Sequence, residues 1–369
     1  MVAQDLKPMR IQYAAFDPSL LAKILCYGFV LPQNLPSDYR SIHGLESSFI
    51  QGSIFMLGGS RPINTSVWED QTASSSSVPL IYRDYDLWIE TKNNSILCSP
   101  LRQSPAILKY FPPYGKVGDY LKFHTETTVF ATPVRECVFG AIGRPCQFCT
   151  YEMMNPRPLP PDIFVQMFLE LVKEKEIRAL AIGPGTPNLR DHGIRYIVKL
   201  IQALRTHWAG PISVELVPPH DLRDLTRLID EKIGSLIMSI EIWNDKRREE
   251  LCPGKSYVSK HHYLEAWKAA IRLLGRGRVS SVLLIGLDEI ASIKEGIDAM
   301  VELGVVPTLI PFRPYPGIPL SAINPPDPDT YLALARYNVK ALAQANIGPK
   351  MQVGCTECGG CSLEIEKLS

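Results

Sequence analysis

The feature that most constrains this chain is a repeated alternation of short apolar segments and amphipathic segments between residues 117 and 345. The apolar segments have the length and composition of strands, and the segments between them place apolar residues at helical spacing. Strands that alternate with helices in this way form a parallel sheet with right-handed crossovers. With about six strands, the pattern predicts an α/β fold, a partial or complete (βα)6-type TIM-like barrel that binds ligands at the carboxyl ends of its strands.

The alternation covers only part of the 369 residues, so further pieces are expected on either side of it. Residues 1–115 contain many prolines and short strand-like runs, which predict an N-terminal mixed α/β lobe. Residues 116–345 are predicted to form the barrel. Residues 346–369 are predicted to form a separate C-terminal extension.

Charge and hydropathy argue against two classes of partner. The 39 basic and 38 acidic side chains leave a net charge of +1 without a long basic run, so no nucleic-acid partner is expected. No segment approaches the roughly 20 apolar residues that cross a bilayer, and the first residues lack a targeting pattern. We therefore expect no membrane partner and a cytoplasmic location.

Six of the nine cysteines fall into two tight groups. One group has the spacing C-x8-C-x2-C and the other has the spacing C-x2-C-x2-C. In a reducing compartment, such groups favour metal binding or redox chemistry over disulfides. The first group consists of Cys137, Cys146 and Cys149, and the second of Cys355, Cys358 and Cys361.

Each group offers three thiolates, whereas structural zinc takes four ligands. A 4Fe-4S cluster held by three thiolates leaves one iron open to a small chelating molecule. Two clusters therefore account for all six cysteines. A zinc site that joins cysteines of both groups stays open as an alternative, and it would indicate an interaction protein instead of an enzyme.

The first group resembles the cluster motif of the radical S-adenosylmethionine (radical SAM) superfamily. That family usually has C-x3-C-x2-C with an aromatic residue before the last cysteine, and Phe148 takes this place here. The longer first spacing matches a minority pattern, and the group directly follows the first predicted barrel strand. The resemblance implies that the open iron chelates S-adenosyl-L-methionine and that reductive cleavage yields a 5′-deoxyadenosyl radical.

Further positions match the family's cofactor contacts. The turn IGPGTP follows the second predicted strand, where the family carries a glycine-rich turn beside the methionine amino group. On the fourth strand, alternation predicts that Ser239 and Glu241 share a face, with Glu241 directed to the ribose hydroxyls. The resemblance further implies that Arg248 pairs with the methionine carboxylate and that the backbone at Gly286 contacts adenine. The predicted contacts in the turn are Gly183, Pro184, Gly185 and Thr186.

Over residues 137–320, the finer resemblance is to lipoyl synthase and biotin synthase. The run from Glu241 through Arg248 to Pro253, Gly254 and Tyr257 is similar to a lipoyl synthase pattern. Two residues depart from it: Cys252 stands in place of an arginine, and Asp288 in place of a glycine. The C-terminal GCTECGGC is most similar to the split, two-protein lipoyl synthases known mainly from archaea.

The resemblance implies a sulfurtransferase that converts octanoyl to lipoyl groups with sulfur from the auxiliary cluster. Its implied partners are ferredoxin or flavodoxin as electron donor, a lipoyl carrier protein and a second radical SAM subunit. A radical SAM enzyme that forms carbon–carbon bonds or modifies a peptide, with a second cluster that is not consumed, remains an alternative.

Overall fold

The computed structural model describes residues 16–45, 49–69, 76–149, 158–183, 185–348 and 358–363. Within these ranges, strands form two seven-stranded sheets and one short hairpin, and most helices flank the second large sheet. The helices are α1 Pro18–Tyr27, α2 Ser37–His43, α3 Val138–Ala141, α4 Pro161–Glu174, α5 Ile194–Arg205, α6 Arg223–Asp230, α7 Asp245–Leu251, α8 Lys260–Leu274, α9 Ile290–Leu303 and α10 Pro328–Gln344.

The first sheet belongs to the N-terminal part of the chain and has the order β4-β1-β3-β2-β7-β6-β5. Helix α1 packs on β3, where the Thr65 hydroxyl donates to the carbonyl of Ile24 at 2.7 Å. The neighbouring β3 side chains at Asn64 and Ser66 therefore point to the other face, because side chains alternate along a strand. The strands are β1 Phe29–Val30, β2 Phe49–Leu57, β3 Arg61–Trp68, β4 Val78–Pro79, β5 Ile81–Arg83, β6 Asp86–Glu90 and β7 Ser95–Pro100, and the separate hairpin is β8 Tyr110–Phe111 with β9 Gly115–Lys116.

The second sheet has its strands in chain order, from β10 to β16. The first pair is antiparallel, and the six strands from β11 onwards are parallel to their neighbours. A helix follows each parallel strand, so the predicted (βα)6-type barrel is confirmed. The strands are β10 Leu121–Phe123, β11 Thr128–Ala131, β12 Ala179–Ile182, β13 Ile212–Glu215, β14 Ser235–Ile237, β15 Val279–Ile285 and β16 Val306–Pro311.

Two apolar stretches of the barrel region do not form single long strands. Residues 120–132 form the β10–β11 hairpin, because the Thr125 hydroxyl accepts the Thr128 N–H at 2.9 Å and stabilises a turn. The fourth parallel strand, β14, ends at Ile237, so Ser239 and Glu241 lie beyond it instead of on it, and Glu241 makes only a single parallel bridge to Leu283.

In the described part of the chain, no helix has both the length and the apolar character needed to cross a membrane.

Candidate functional site

The first cysteine group lies at the end of the barrel where the strands finish. Strand β11 ends at Ala131, and the loop that follows carries Cys137, Cys146 and Cys149. All three side chains are partly exposed. Because the carboxyl ends of parallel strands meet at one end of the barrel, this loop borders the position where barrels bind ligands.

Hydrogen bonds to two other barrel units hold the cysteine loop in place. The Val138 N–H donates to the carbonyl of Thr186, after β12, at 2.6 Å. The Gln147 N–H donates to the carbonyl of Leu251, at the end of α7, at 2.8 Å. Thr186 was predicted as a cofactor contact, and the structure gives its carbonyl this anchoring bond.

The glycine-rich turn after β12 packs directly against the start of the loop. A Cβ on Gly185 would come within 2.2 Å of the carbonyl oxygen of Glu136, and one on Gly183 within 2.4 Å of the Phe130 ring. Neither position accepts a side chain without displacement of its neighbour. These glycines thus let the loop lie close to the sheet. The predicted contact at Pro184 lies outside the described residues.

Cys146 and Phe148 face an apolar cluster above the later strands of the barrel. A hydrogen bond with the Cys252 thiol, together with burial, raises the pKa of Cys146 well above its usual value. Cys137 packs instead against the main core. The apolar cluster consists of Ile242, Leu251, Cys252, Leu287, Phe312 and Ile318.

The three cysteines share one loop, and each brings one thiol to the same end of the barrel. Among the described residues, no group of three or more histidine, cysteine, aspartate or glutamate side chains is arranged to hold one metal ion. A 4Fe-4S cluster takes one thiolate on each of three irons when three cysteines hold it. Binding of a cluster by Cys137, Cys146 and Cys149 stays a prediction.

Four polar residues form two hydrogen-bonded pairs beside this loop. The Lys255 ammonium donates to the Glu241 carboxylate at 2.7 Å, and the Ser239 hydroxyl donates to Glu215 at 3.1 Å. Burial and the nearby charge of Glu241 raise the pKa of Glu215. Burial alone would lower the pKa of Lys255. The nearby Glu241 carboxylate has the larger combined effect with its neighbours, so the pKa of Lys255 lies well above its usual value. Ser239 and Glu241 each bond to a partner that the sequence did not indicate, and their contact with the cofactor stays a prediction.

The backbone at Glu241 has an unusual conformation that directs its side chain. Its φ of 69° lies in the left-handed region, which non-glycine residues adopt at a cost of about 1–3 kcal/mol. Bonds to β15 hold it there: the Glu241 N–H donates to Val282 at 3.0 Å, and its carbonyl accepts from Leu284 at 2.9 Å. The strain is compatible with a functional position for the carboxylate.

Arg248 is almost fully buried and turned toward the connection between α7 and α8. Its Nη2 donates to the carbonyls of Lys255 and Val258 at 2.9 and 2.7 Å, and its guanidinium stacks on Tyr263. Its Nε is buried and has no hydrogen-bond partner among the described residues. A contact between Arg248 and the methionine carboxylate stays a prediction.

Asp288, one of the two departures from the family pattern, has a structural role. Its carboxylate accepts the N–H groups of Trp243 and Asn244, both at 2.9 Å, and ties the end of β15 to the segment after β14. Nearby, Gly286 has a φ of 100°, and a Cβ there would meet Pro326 at 3.0 Å. The adenine contact at Gly286 stays a prediction.

The second cysteine group contacts the N-terminal sheet. Cys355 lies outside the described residues, whereas Cys358 is buried and Cys361 partly exposed. The Asn64 side chain donates to the Cys361 sulfur at 3.3 Å, and the Asn64 N–H donates to Gly360 at 2.7 Å.

Two further contacts place this group beside both edges of the barrel sheet. The Cys358 thiol donates to the carbonyl of His124, directly after the edge strand β10, at 3.8 Å. Arg313, two residues after the other edge strand β16, donates to the carbonyl of Asn64 at 2.8 Å. Arg61 adds bonds to the carbonyls of Gly359 and Ser362. Sequence patterns do not indicate these contacts, because they join residues 234 to 301 positions apart.

No protein-family model matches the chain. A search of curated proteins finds similarity to bacteriochlorophyllide c C-7(1)-hydroxylase of Chlorobaculum limnaeum, 29% identical over 218 residues. The match covers 52% of this chain and 54% of that protein, so the chain spans about half the length of this relative.

Among solved structures, the chain resembles methylornithine synthase PylB, with a TM-score of 0.47 and 15% identity over 64% of this chain and 71% of that one. It also resembles a radical SAM methyltransferase from Sphaerobacter thermophilus, with a TM-score of 0.46 and 16% identity over 85% and 80%. The hydrogenase maturase HydG from Carboxydothermus hydrogenoformans has a TM-score of 0.46 and 16% identity. This match covers 64% of this chain and 56% of that one. Such distant likenesses carry no conclusion about reaction. None of these four proteins is named as a lipoyl synthase or a biotin synthase.

Proposed function

We propose that this chain is a radical SAM enzyme in which Cys137, Cys146 and Cys149 hold a 4Fe-4S cluster that binds S-adenosyl-L-methionine. The observation that carries the proposal is the position of these cysteines on one loop after β11, at the carboxyl ends of the parallel strands. Ligands of parallel barrels bind at this end. Three thiolates would leave one iron open for the cofactor.

When bound, the cluster and S-adenosyl-L-methionine supply a 5′-deoxyadenosyl radical for hydrogen abstraction from an unactivated carbon. The chain's own residues supply position and surroundings. The apolar cluster around Cys146 and Phe148 keeps water away from one side of the site. Ser239, Glu241 and Lys255 supply hydrogen-bonding groups on another side, with Glu241 proposed for the ribose hydroxyls.

Sulfur insertion into octanoyl groups, with a lipoyl carrier protein as partner, is one narrower form of this proposal. Its support is the second cysteine group, because Cys358 lies beside the edge strand β10 and Cys361 lies beside Asn64 of the N-terminal sheet. The named relatives add no support for lipoyl synthesis. An electron donor such as ferredoxin or flavodoxin belongs to every form of the proposal.

Hydroxylation of an unactivated carbon is a second candidate. The similarity to bacteriochlorophyllide c C-7(1)-hydroxylase favours it, since that protein is named for oxygen insertion at a carbon. Both candidates share hydrogen abstraction and differ in the atom that the carbon then receives. The match covers only about half of each chain, so the relative's substrate is not transferred to this one.

Metal content after anaerobic purification tests the proposal. Two clusters predict about eight iron atoms and about eight acid-labile sulfides per chain. The Cys146→Ala variant is expected to lose about half of its iron and about half of its acid-labile sulfide. The control Cys98→Ala removes a buried thiol of the N-terminal sheet and is expected to keep its full iron and sulfide content. Zinc without sulfide in the wild type would reject the proposal and favour an interaction protein.

Product mass then separates the two candidates. The reduced wild-type protein is incubated with S-adenosyl-L-methionine and an octanoylated peptide. Replacement of hydrogen by sulfur, seen by mass spectrometry, would support sulfur insertion. A gain of one oxygen would favour hydroxylation. 5′-Deoxyadenosine without a modified peptide would reject octanoyl groups as the substrate and leave the cofactor chemistry intact.

A further inference from the structure

A cavity of about 240 Å³ lies between the N-terminal sheet and the loop that follows β16. None of the residues that line it belongs to the apolar cluster around Cys146 and Phe148, so the cavity is separate from the cysteine loop. Its size is slightly below the roughly 300–1,000 Å³ of drug-sized ligand pockets, so it suits a small molecule. The residues that bear on its chemistry are Cys26, Tyr27, Ser66, Trp68, Arg313 and Asn324.

Arg313 places a buried positive charge at this cavity. The residue is 8% exposed, and its Nη1 donates to the backbone carbonyl of Asn64 at 2.8 Å. Among the described residues it forms no ion pair with a carboxylate, and the acidic side chains that act on its charge are those of Tyr315, Cys361, Tyr331 and Cys26. Burial raises the pKa of the Cys26 thiol at the cavity wall to about 12, so that group stays neutral and does not balance the charge. A buried guanidinium normally has an anionic partner.

Ser66 adds a second polar group without a partner. The residue is 2% exposed, and its Oγ is buried with no hydrogen-bond partner among the described residues. It lies on the same face of β3 as Asn64 and Trp68, because side chains alternate along a strand. A buried hydroxyl without a partner costs free energy, which a ligand oxygen at this position would recover.

The remaining lining favours a carboxylate over a phosphate. Arg313 is the only basic side chain among the described residues of the cavity wall, so one negative charge balances it. A doubly charged phosphate would leave an excess negative charge in a partly buried site. The rings of Tyr27 and Trp68 offer apolar surface for a short carbon chain.

We propose that this cavity binds the carboxylate of a small organic acid, with Arg313 as the charge partner and Ser66 as a hydrogen-bond donor. A planar guanidinium pairs with a carboxylate through two parallel bonds. The acid lies close to the second cysteine group, since Asn64 bonds to both Arg313 and Cys361. This binding site goes beyond the proposed radical chemistry and does not depend on it.

The test measures binding of 4,4,4-trifluorobutyrate to the anaerobically purified full chain by ¹⁹F NMR, with 4,4,4-trifluorobutan-1-ol as the neutral probe. The acid is expected to bind at least about tenfold more tightly than the alcohol, since a hydrogen bond to a charged group is worth about that factor. Arg313→Gln removes the charge and is expected to weaken acid binding about tenfold or more. Ser66→Ala is expected to weaken it several-fold.

Arg276→Gln is the matched control, because Arg276 also donates to backbone carbonyls but lies before β15, at the opposite end of the barrel. It is expected to leave acid binding unchanged. Circular dichroism verifies that each variant is folded, and Ser66→Ala decides the matter if Arg313→Gln does not fold. Equal binding of acid and alcohol, no binding of the acid, or unchanged binding in a folded Ser66→Ala variant would overturn the proposal. Tighter binding of inorganic phosphate than of the acid would overturn the carboxylate assignment.

Discussion

At the scale of single residues, the ion pair of Lys255 and Glu241 does most to define the polar side of the candidate site. The two side chains are only 14% and 13% exposed, and Glu215 stands close to them. An ion pair this buried adds little net stability as a pair, but removal of one partner leaves the other charge uncompensated.

Lys255→Met is therefore expected to destabilise the protein by about 3 kcal/mol, because it leaves two carboxylates close together without a cation. Urea denaturation measures the change in the free energy of unfolding. The matched control is Lys268→Met, which breaks an exposed ion pair with Glu265 and is expected to cost less than about 0.5 kcal/mol. Equal costs for the two variants would contradict the role given to the buried pair.

The raised pKa of Glu215 predicts a pH effect at the same site. Its folded-state pKa lies above its ordinary value of 4.5, so the native state binds the proton more tightly than the unfolded state. Its contribution to stability is present at low pH and is lost as pH rises through the folded-state pKa. Urea denaturation at pH 5 and at pH 7.5 measures the free energy of unfolding of Glu215→Gln and of the wild type. The variant is expected to lose less of this free energy than the wild type when the pH is raised from 5 to 7.5. An identical pH dependence in both proteins would refute the assignment.

At the scale of elements, the contact between the cysteine loop and the turn after β12 determines where the thiols lie. Gly185 donates its N–H to the carbonyl of Val134 at 2.7 Å, and no side chain fits between it and Glu136. The loop therefore depends on two elements that come together only in the folded barrel.

Gly185→Ala is expected to displace the loop and to lower the iron content of the purified protein by about half, which is the share of one of two clusters. Gly348→Ala is the control, since a Cβ there meets nothing within 4 Å. Iron analysis and circular dichroism together distinguish loss of the cluster from loss of the fold. Full iron content in a folded Gly185→Ala variant would show that the contact does not position the thiols.

Periodicity was sufficient to predict the six strand–helix units and the position of the cysteine loop, because both depend on local sequence pattern. It failed where a single residue changes the backbone. The hydroxyl of Thr125 turns the first strand into a hairpin, and the fourth parallel strand stops at Ile237, before Glu241 takes up its left-handed conformation. Lys255 was missed because it lies in a short turn, and its partner Glu241 is 14 residues away.

At the scale of the whole molecule, the N-terminal sheet and the barrel meet at the second cysteine group. Asn64 of β3 bonds to Cys361 and to Gly360, and its carbonyl accepts from Arg313 after β16. Sequence patterns do not report contacts between parts of the chain so far apart. The lobe therefore contributes directly to the surroundings of this group.

Asn64→Ala is expected to speed amide hydrogen exchange in residues 358–363, since it removes the side-chain bond to the Cys361 sulfur. The loss of one such bond is worth about 1 kcal/mol, or about a fivefold change in opening. Asn94→Ala, in the exposed β6–β7 turn, is the control and is expected to leave this exchange unchanged. Unchanged exchange in Asn64→Ala would contradict the docking of the segment on β3.

The central claim is that the loop after β11 carries a cluster that binds and cleaves S-adenosyl-L-methionine. Its most direct test is the amount of 5′-deoxyadenosine formed by the reconstituted, dithionite-reduced protein under anaerobic conditions. The account predicts that the wild type and Cys98→Ala form 5′-deoxyadenosine, whereas Cys137→Ala, Cys146→Ala and Cys149→Ala form none above background. Absence of 5′-deoxyadenosine from a fully iron-loaded wild type, or equal amounts from the three cysteine variants, would contradict it.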